Sequence, residues 1–230
     1  MKLFNLSFVS MSKKQFKAVK IVIIFTAFVL SYNAQANNQS NDQSSTSTIA
    51  ADNPWQLQHS EDNIKLYHRA LNSSEYLQTK AEVLVNFSAT KLLEQFPING
   101  ECWQWQSRCK KSKKVKDLSG SDRLVYTVIN MPWPVSDRDF VFHSSINFDE
   151  DSKTTTLILK PYKEQYPETK YVRGEANIRY EIRELTETTS HLTIIMHTDF
   201  KGSISASAIN SKLISELNGN IKRLLRLLNE

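Results

Sequence analysis

Glycine is scarce, five residues in 230, and neither G-x-G-x-x-G nor G-x-x-x-x-G-K-[ST] occurs, which excludes the usual nucleotide cradles. G-x-S-x-G and H-E-x-x-H are missing as well, and Ser203 lacks the strand, elbow and helix setting that exposes a nucleophile. Cys102 and Cys109 are the only cysteines, with no C-x-x-C, and the five histidines, His59, His68, His143, His191 and His197, are scattered. That spacing argues against a metal site, so no metal or cofactor is expected. At 230 residues and 40% hydrophobic, the chain supports one substantial core and hardly two.

Net charge is also missing from most of the chain. The formal +5 comes from Lys2, Lys13, Lys14, Lys17 and Lys20, and residues 37–230 hold equal numbers of bases and acids. A balanced body argues against nucleic acid as a partner. The longest apolar run, IVIIFTAFVL at 21–30, is short of the roughly 20 residues that span a bilayer. It follows four lysines and precedes SYNAQA, and a basic segment, a short apolar segment and an A-x-A site make a secretory signal peptide, with cleavage expected after Ala36. A retained anchor is the rival reading. No cysteine beside the cut is available to carry a lipid, so a soluble exported protein is expected, periplasmic in a Gram-negative cell and otherwise extracellular. Residues 37–53 are polar, bury little, and read as a disordered linker. The folded domain is expected over 54–230.

In an oxidising compartment the two cysteines can pair across a loop that holds Trp103, Trp105 and Arg108; two buried thiols are the alternative. Around Trp55 the pattern allows a short helical turn, followed by a strand through Ile64, Leu66 and His68. Residues 76–87 form a second strand, and Ser88 is placed to cap a helix carrying Leu92, Leu93 and Phe96. Beyond 115, strands are predicted at 123–130, 139–148, 154–160, 171–185 and 191–200. Short links join antiparallel neighbours and cannot hold parallel crossovers, so a six- or seven-stranded antiparallel sheet is expected. Ile209, Leu213, Ile214, Leu217, Ile221, Leu224, Leu225 and Leu228 recur at helical spacing and predict one long terminal helix, with Gly219 marking a bend or a close approach to the sheet. The fold class is α+β, a curved antiparallel sheet around that helix, with room for an apolar cavity between them.

Four segments, WQLQHSEDNIKLYHR, VINMPWPVSDRDFVF at 128–142, YVRGEANIRYEI at 171–182 and the helical stretch 205–228, resemble the START (StAR-related lipid-transfer) domain family. The most specific is PWPVSDRDFVF, through Pro132, Trp133, Pro134, Ser136, Asp137, Arg138, Asp139 and Phe140. The resemblance covers 54–230 and implies a helix-grip fold with an internal tunnel for one lipid, in an exported, bacterial-type member. It also implies a lid made by 205–228 and the tyrosine-rich stretch 161–171. The expected function is non-catalytic lipid binding and transfer by a monomer. A cyclase- or hydrolase-like enzyme of the same superfamily and an envelope interaction module with a filled cavity are the competing classes.

Tyr126, Arg138, Arg173, Glu175 and His197 are candidate ligand-binding residues. Each has a structural alternative: Arg138 with Asp139 bracing the Pro132–Pro134 turn, Arg173 and Glu175 as a solvated charge ladder, and His197 as a satisfied strand histidine. Arg108, Lys110, Lys111, Lys113, Lys114 and Lys116 are the densest local charge and read either as a contact for anionic membrane or as a solvated loop.

Overall fold

The computed structural model describes residues 53–96, 102–164 and 166–230. The predicted leader and all of the linker except Asn53 lie outside the described residues. Nine strands follow the order β1-β2-β3-β10-β9-β7-β6-β5-β4, every neighbouring pair antiparallel. In chain order they are β1 (Gln56–Glu61), β2 (Ile64–Leu71), β3 (Ser74–Val85), β4 (Cys109–Asp117), β5 (Arg123–Ile129), β6 (Arg138–Asp149) and β7 (Thr154–Pro161), then β9 (Glu175–Thr186) and β10 (Thr189–Asp199). A two-residue β8 (Val172–Arg173) pairs parallel with the start of β6. The helices are α1 (Ala89–Glu94), whose N-cap Ser88 accepts from the Lys91 N–H, and α2 (Ala206–Leu228), whose N-cap Ser205 accepts from the Ala208 N–H.

Leu217, Ile221, Leu224 and Leu228 form the buried stripe of α2, and the alternating residues of the inner sheet face meet it. Ala81, Val83 and Val85 of β3 and Leu192 and Ile194 of β10 are wholly buried in the same core. The opposite, outer face carries a smaller apolar cluster, Leu124, Tyr126, Val128 and Val141, covered by Tyr162, Tyr166 and Tyr171.

Four expectations need correction. Residues 56–61 are an edge strand in a hairpin with β2, and no helical turn forms there. The lysine-rich segment 109–117 is a strand, so the sheet is wider than predicted. The 171–185 strand is broken at Gly174, where β8 pairs with β6 before β9 begins; a Cβ at that position would stand 2.5 Å from Phe140 Cε1, which favours glycine there. Gly219 makes no such approach: its nearest neighbour would be the Arg223 guanidinium at 3.8 Å.

Candidate functional site

The inner faces of β5, β6, β7 and β9 do not meet α2 directly along their whole length, and a cavity of about 150 Å³ remains. Val125, Thr127 and Ile129 of β5 and Phe140, Phe142 and Ser144 of β6 form one wall. Leu157 and Leu159 of β7, Ala176 and Ile178 of β9, and Thr198 and Phe200 continue it. The period of two on each strand sets this choice, since alternate residues reach one face.

Trp103 and Gln106, on the segment before β4, and Cys109 and Ser112 of β4 line the rest of the cavity. This segment is held from three directions. Cys102 and Cys109 are disulfide-bonded, with Cα atoms 5.6 Å apart. Phe96 and Tyr180 pack edge to face against Trp103 and Trp105, which stack on each other, with Trp103 to Tyr180 centroids 5.0 Å apart and the Trp105 indole N–H donating to the Gln95 carbonyl at 3.0 Å. Toward α2, Arg108 pairs with Glu216, the Ser107 N–H donates to Asn220 at 3.3 Å, and Arg223 donates to the Trp105 carbonyl at 3.1 Å.

No lining residue of this cavity is ionisable at neutral pH. Its polar groups are the Ser112 and Thr127 hydroxyls, bonded to each other at 2.9 Å, with Ser144, Thr198 and Gln106. The Gln106 amide donates to the Tyr180 hydroxyl at 3.4 Å, and burial pushes that phenol far above its usual range. A bare charge in such a place is costly, whereas an apolar body with a neutral hydroxyl or carbonyl finds partners.

None of the five candidate ligand residues lines the cavity. Tyr126 lies on the outer face, where its hydroxyl donates to Asp139 Oδ2 at 3.1 Å. Burial, with Asp139 reinforcing it against Thr169, pushes this phenol up to about 12, so it remains a donor. Arg173 holds the same carboxylate with two bonds, at 2.8 and 3.1 Å, and Thr169 adds one at 2.7 Å. Arg138 is buried and donates to the backbone carbonyls of Ser136, Phe200 and Lys201, tying the start of β6 to the entry of α2. Glu175 is exposed, 3.8 Å from Lys201, and the break at Gly174 removes the common face with Arg173. His197 contacts Ser74 Oγ at 2.9 Å, and burial lowers its pKa. The structure thus unites Tyr126 and Arg173 around Asp139 and leaves Arg138, Glu175 and His197 apart.

The six basic candidates sit on or beside edge strand β4. Lys110 pairs with Asp137 at 2.7 Å, Lys114 with Asp117 at 2.8 Å, and Arg108 with Glu216. Lys111, Lys113 and Lys116 are exposed and have no ion-pair partner among the described residues. The cavity hydroxyls were missed because alternation reveals two faces of a strand without saying which one meets the helix.

Residues 36–230 match the family model described as the START domain. An uncharacterised protein of Pseudomonas aeruginosa is 25% identical over 177 residues, covering 74% of this chain and 84% of that protein. A STAR-related lipid transfer protein from Xanthomonas axonopodis superposes with a TM-score of 0.67 at 23% identity, over 76% of this chain and 99% of that one. The human StAR-related lipid transfer protein 5 gives 0.69 at 15% identity, over 76% and 86%.

Proposed function

The chain belongs to the START domain family, and from that premise we propose that it binds a lipid in the cavity between the inner sheet face and the segment before β4 and carries it through an aqueous compartment. Lipid or other hydrophobic-ligand binding is the general role of such domains, which are non-catalytic. The observation that carries the reading here is the uncharged lining of the cavity. Each methylene withdrawn from water contributes about 0.8 kcal/mol, so a few apolar contacts hold an acyl or ring body. No carboxylate, imidazole or amine lines the cavity for acid–base chemistry. The ligand class favoured is therefore one with a neutral polar group, bonded by Ser112, Thr127 or Gln106.

A cavity of about 150 Å³ is smaller than the roughly 300–1,000 Å³ of drug-sized ligand sites. Loading accordingly requires a wall to move, and the segment 102–108 is the wall held by side-chain contacts, several of them to α2, rather than by a strand ladder. The basic, apolar and A-x-A segments of the leader support the reading that the carrier is exported and works outside the cytoplasmic membrane.

Native mass spectrometry of the protein isolated from its own cell envelope without detergent, followed by organic extraction, tests the proposal. One neutral lipid per chain, on a protein whose N-terminus is Asn37, is the expected result. A protein that is empty and takes up no added sterol, diacylglycerol or phospholipid contradicts it.

A further inference from the structure

The disulfide between Cys102 and Cys109 spans seven positions, and within that short loop stand Trp103 and Gln106, two residues that line the cavity. Cys109 lines it as well. The two ends of the loop are held differently. Cys109 opens β4 and pairs with Ile129, and the Arg108 carbonyl beside it accepts from the Asn130 N–H at 2.8 Å. Cys102 lies in irregular chain outside any strand. Between them the Gln106 N–H donates to the Trp103 carbonyl at 2.9 Å and the Cys109 N–H to the Gln106 carbonyl at 3.3 Å, so the segment is folded on itself. A cavity this small needs a wall to move for loading, and the disulfide is a covalent restraint on that wall.

We infer that the Cys102–Cys109 bond is a thiol–disulfide exchange site, and that its reduction by a dithiol frees the Trp103 and Gln106 wall so that the cavity loads and empties. Loop length separates this role from that of a general staple. The stabilisation a disulfide gives a whole fold grows with the loop it closes, and a loop this short constrains little beyond the segment itself. Neither cysteine is fully buried, so the bond is within reach of a dithiol while the sheet stays folded. In the exchange, a thiolate of the dithiol attacks one sulfur and the S–S bond breaks, the other cysteine leaving as a thiolate. The second thiol of the dithiol then attacks the mixed disulfide. The reductant ends as a disulfide, and Cys102 and Cys109 end as thiols that have gained two electrons and two protons between them. What remains on the segment is the packing of Trp103 and Trp105 and the contacts of Trp105, Ser107 and Arg108 with α2, which break and re-form without chemistry. Reoxidation fixes the wall over the ligand.

This inference rests on the lipid-binding reading, and the experiment separates the two. The processed protein, extracted of ligand, is loaded with the neutral fluorescent probe phenylnaphthylamine. Uptake by the oxidised form at equilibrium tests lipid binding alone, and release on dilution, with and without dithiothreitol, tests the exchange site. Dithiothreitol is expected to speed release about tenfold or more. Cys102→Ala combined with Cys109→Ala should release as fast as reduced wild type whether or not the dithiol is present. Faster amide exchange should be confined to 102–108, with β3, β9 and β10 protected as in the oxidised form. The proposal is overturned by equal release before and after reduction, by a bond that dithiothreitol leaves intact in the folded protein, or by loss of protection throughout the sheet, which would make the disulfide a staple of the whole fold. A protein that takes up no probe in either state contradicts lipid binding itself, and the exchange site with it.

Discussion

Asp139 shows how one residue decides between a binding role and a structural one. Its side chain is fully buried, which works to raise its carboxyl, but bonds from Arg173, Thr169 and Tyr126 outweigh burial and hold it below the usual 3.8. Removing Arg173 leaves a buried carboxylate without its cation. Arg173→Ala is therefore expected to cost about 2 kcal/mol in urea unfolding, at the lower end of such losses because Arg173 keeps a third of its own surface in water. Ligand content should not change, since neither residue lines the cavity. A variant of normal stability that has lost its ligand would restore the binding role. The pH dependence has a definite sign. A carboxyl whose folded pKa is depressed contributes stability that is present above 3.8 and lost as pH falls through the folded value, and Asp139→Asn should lack that loss. His197, depressed by burial from 6.5, works in the same direction: its contribution is present above 6.5 and lost as pH falls through its own folded value. His197→Gln should flatten the stability curve in that window.

At the scale of elements, α2 and the segment before β4 are the informative pair. Gly219 lies inside the continuous helix α2, where a Cβ would meet only the Arg223 guanidinium at 3.8 Å. Gly219→Ala is thus expected to raise stability by up to about 1 kcal/mol, measured by denaturant or thermal unfolding; a destabilised variant would show that the helix needs the gap. The disulfide closes a short loop, Cys102 and Cys109 being seven positions apart, so replacing both cysteines by alanine should cost about 2–3 kcal/mol. It should also loosen Trp103, read as faster amide exchange in 102–108.

The terminal helix and the long central strands were legible because each buries one regular face, and burial imposes a period; the capping serine of α1 was legible because its hydroxyl satisfies a free N–H at the helix start. Edge strands β1 and β4 were not. Their residues are mostly exposed, so no alternation is written into them, and the lysines that protect the β4 edge from pairing with another chain look like loop charge. The break at Gly174 was equally hidden, because the two residues before it pair with β6, a partner distant in sequence. For the site, the PWPVSDRDFVF block pointed to the right family, yet its charged residues brace the outer face and the α2 entry. The cavity itself is made of ordinary strand residues, Thr127, Ser144 and Ile178 among them, that no local pattern marks.

For the whole molecule, stability and binding draw on the same inner face. The half nearest α2 is filled by Leu217, Ile221, Leu224 and Leu228, and the half toward β5 and β6 is left open and uncharged. A ligand larger than the present cavity has to displace the Trp103 segment or α2 and returns that cost as buried apolar surface. Loading should therefore raise the thermal midpoint in proportion to the logarithm of ligand excess, whereas a charged amphiphile of equal chain length should do less. Equal shifts for both would contradict the uncharged-lining argument.

The most direct measurement is the lipid content of Ile178→Trp beside that of wild type, by native mass spectrometry on protein isolated from the envelope. Ile178 lines the cavity while remaining half-buried, so the larger ring has space to enter without crowding the fully packed core. The account predicts wild type with one lipid and a variant that is folded and empty. A folded variant carrying the same lipid at the same stoichiometry would place the ligand elsewhere and contradict it.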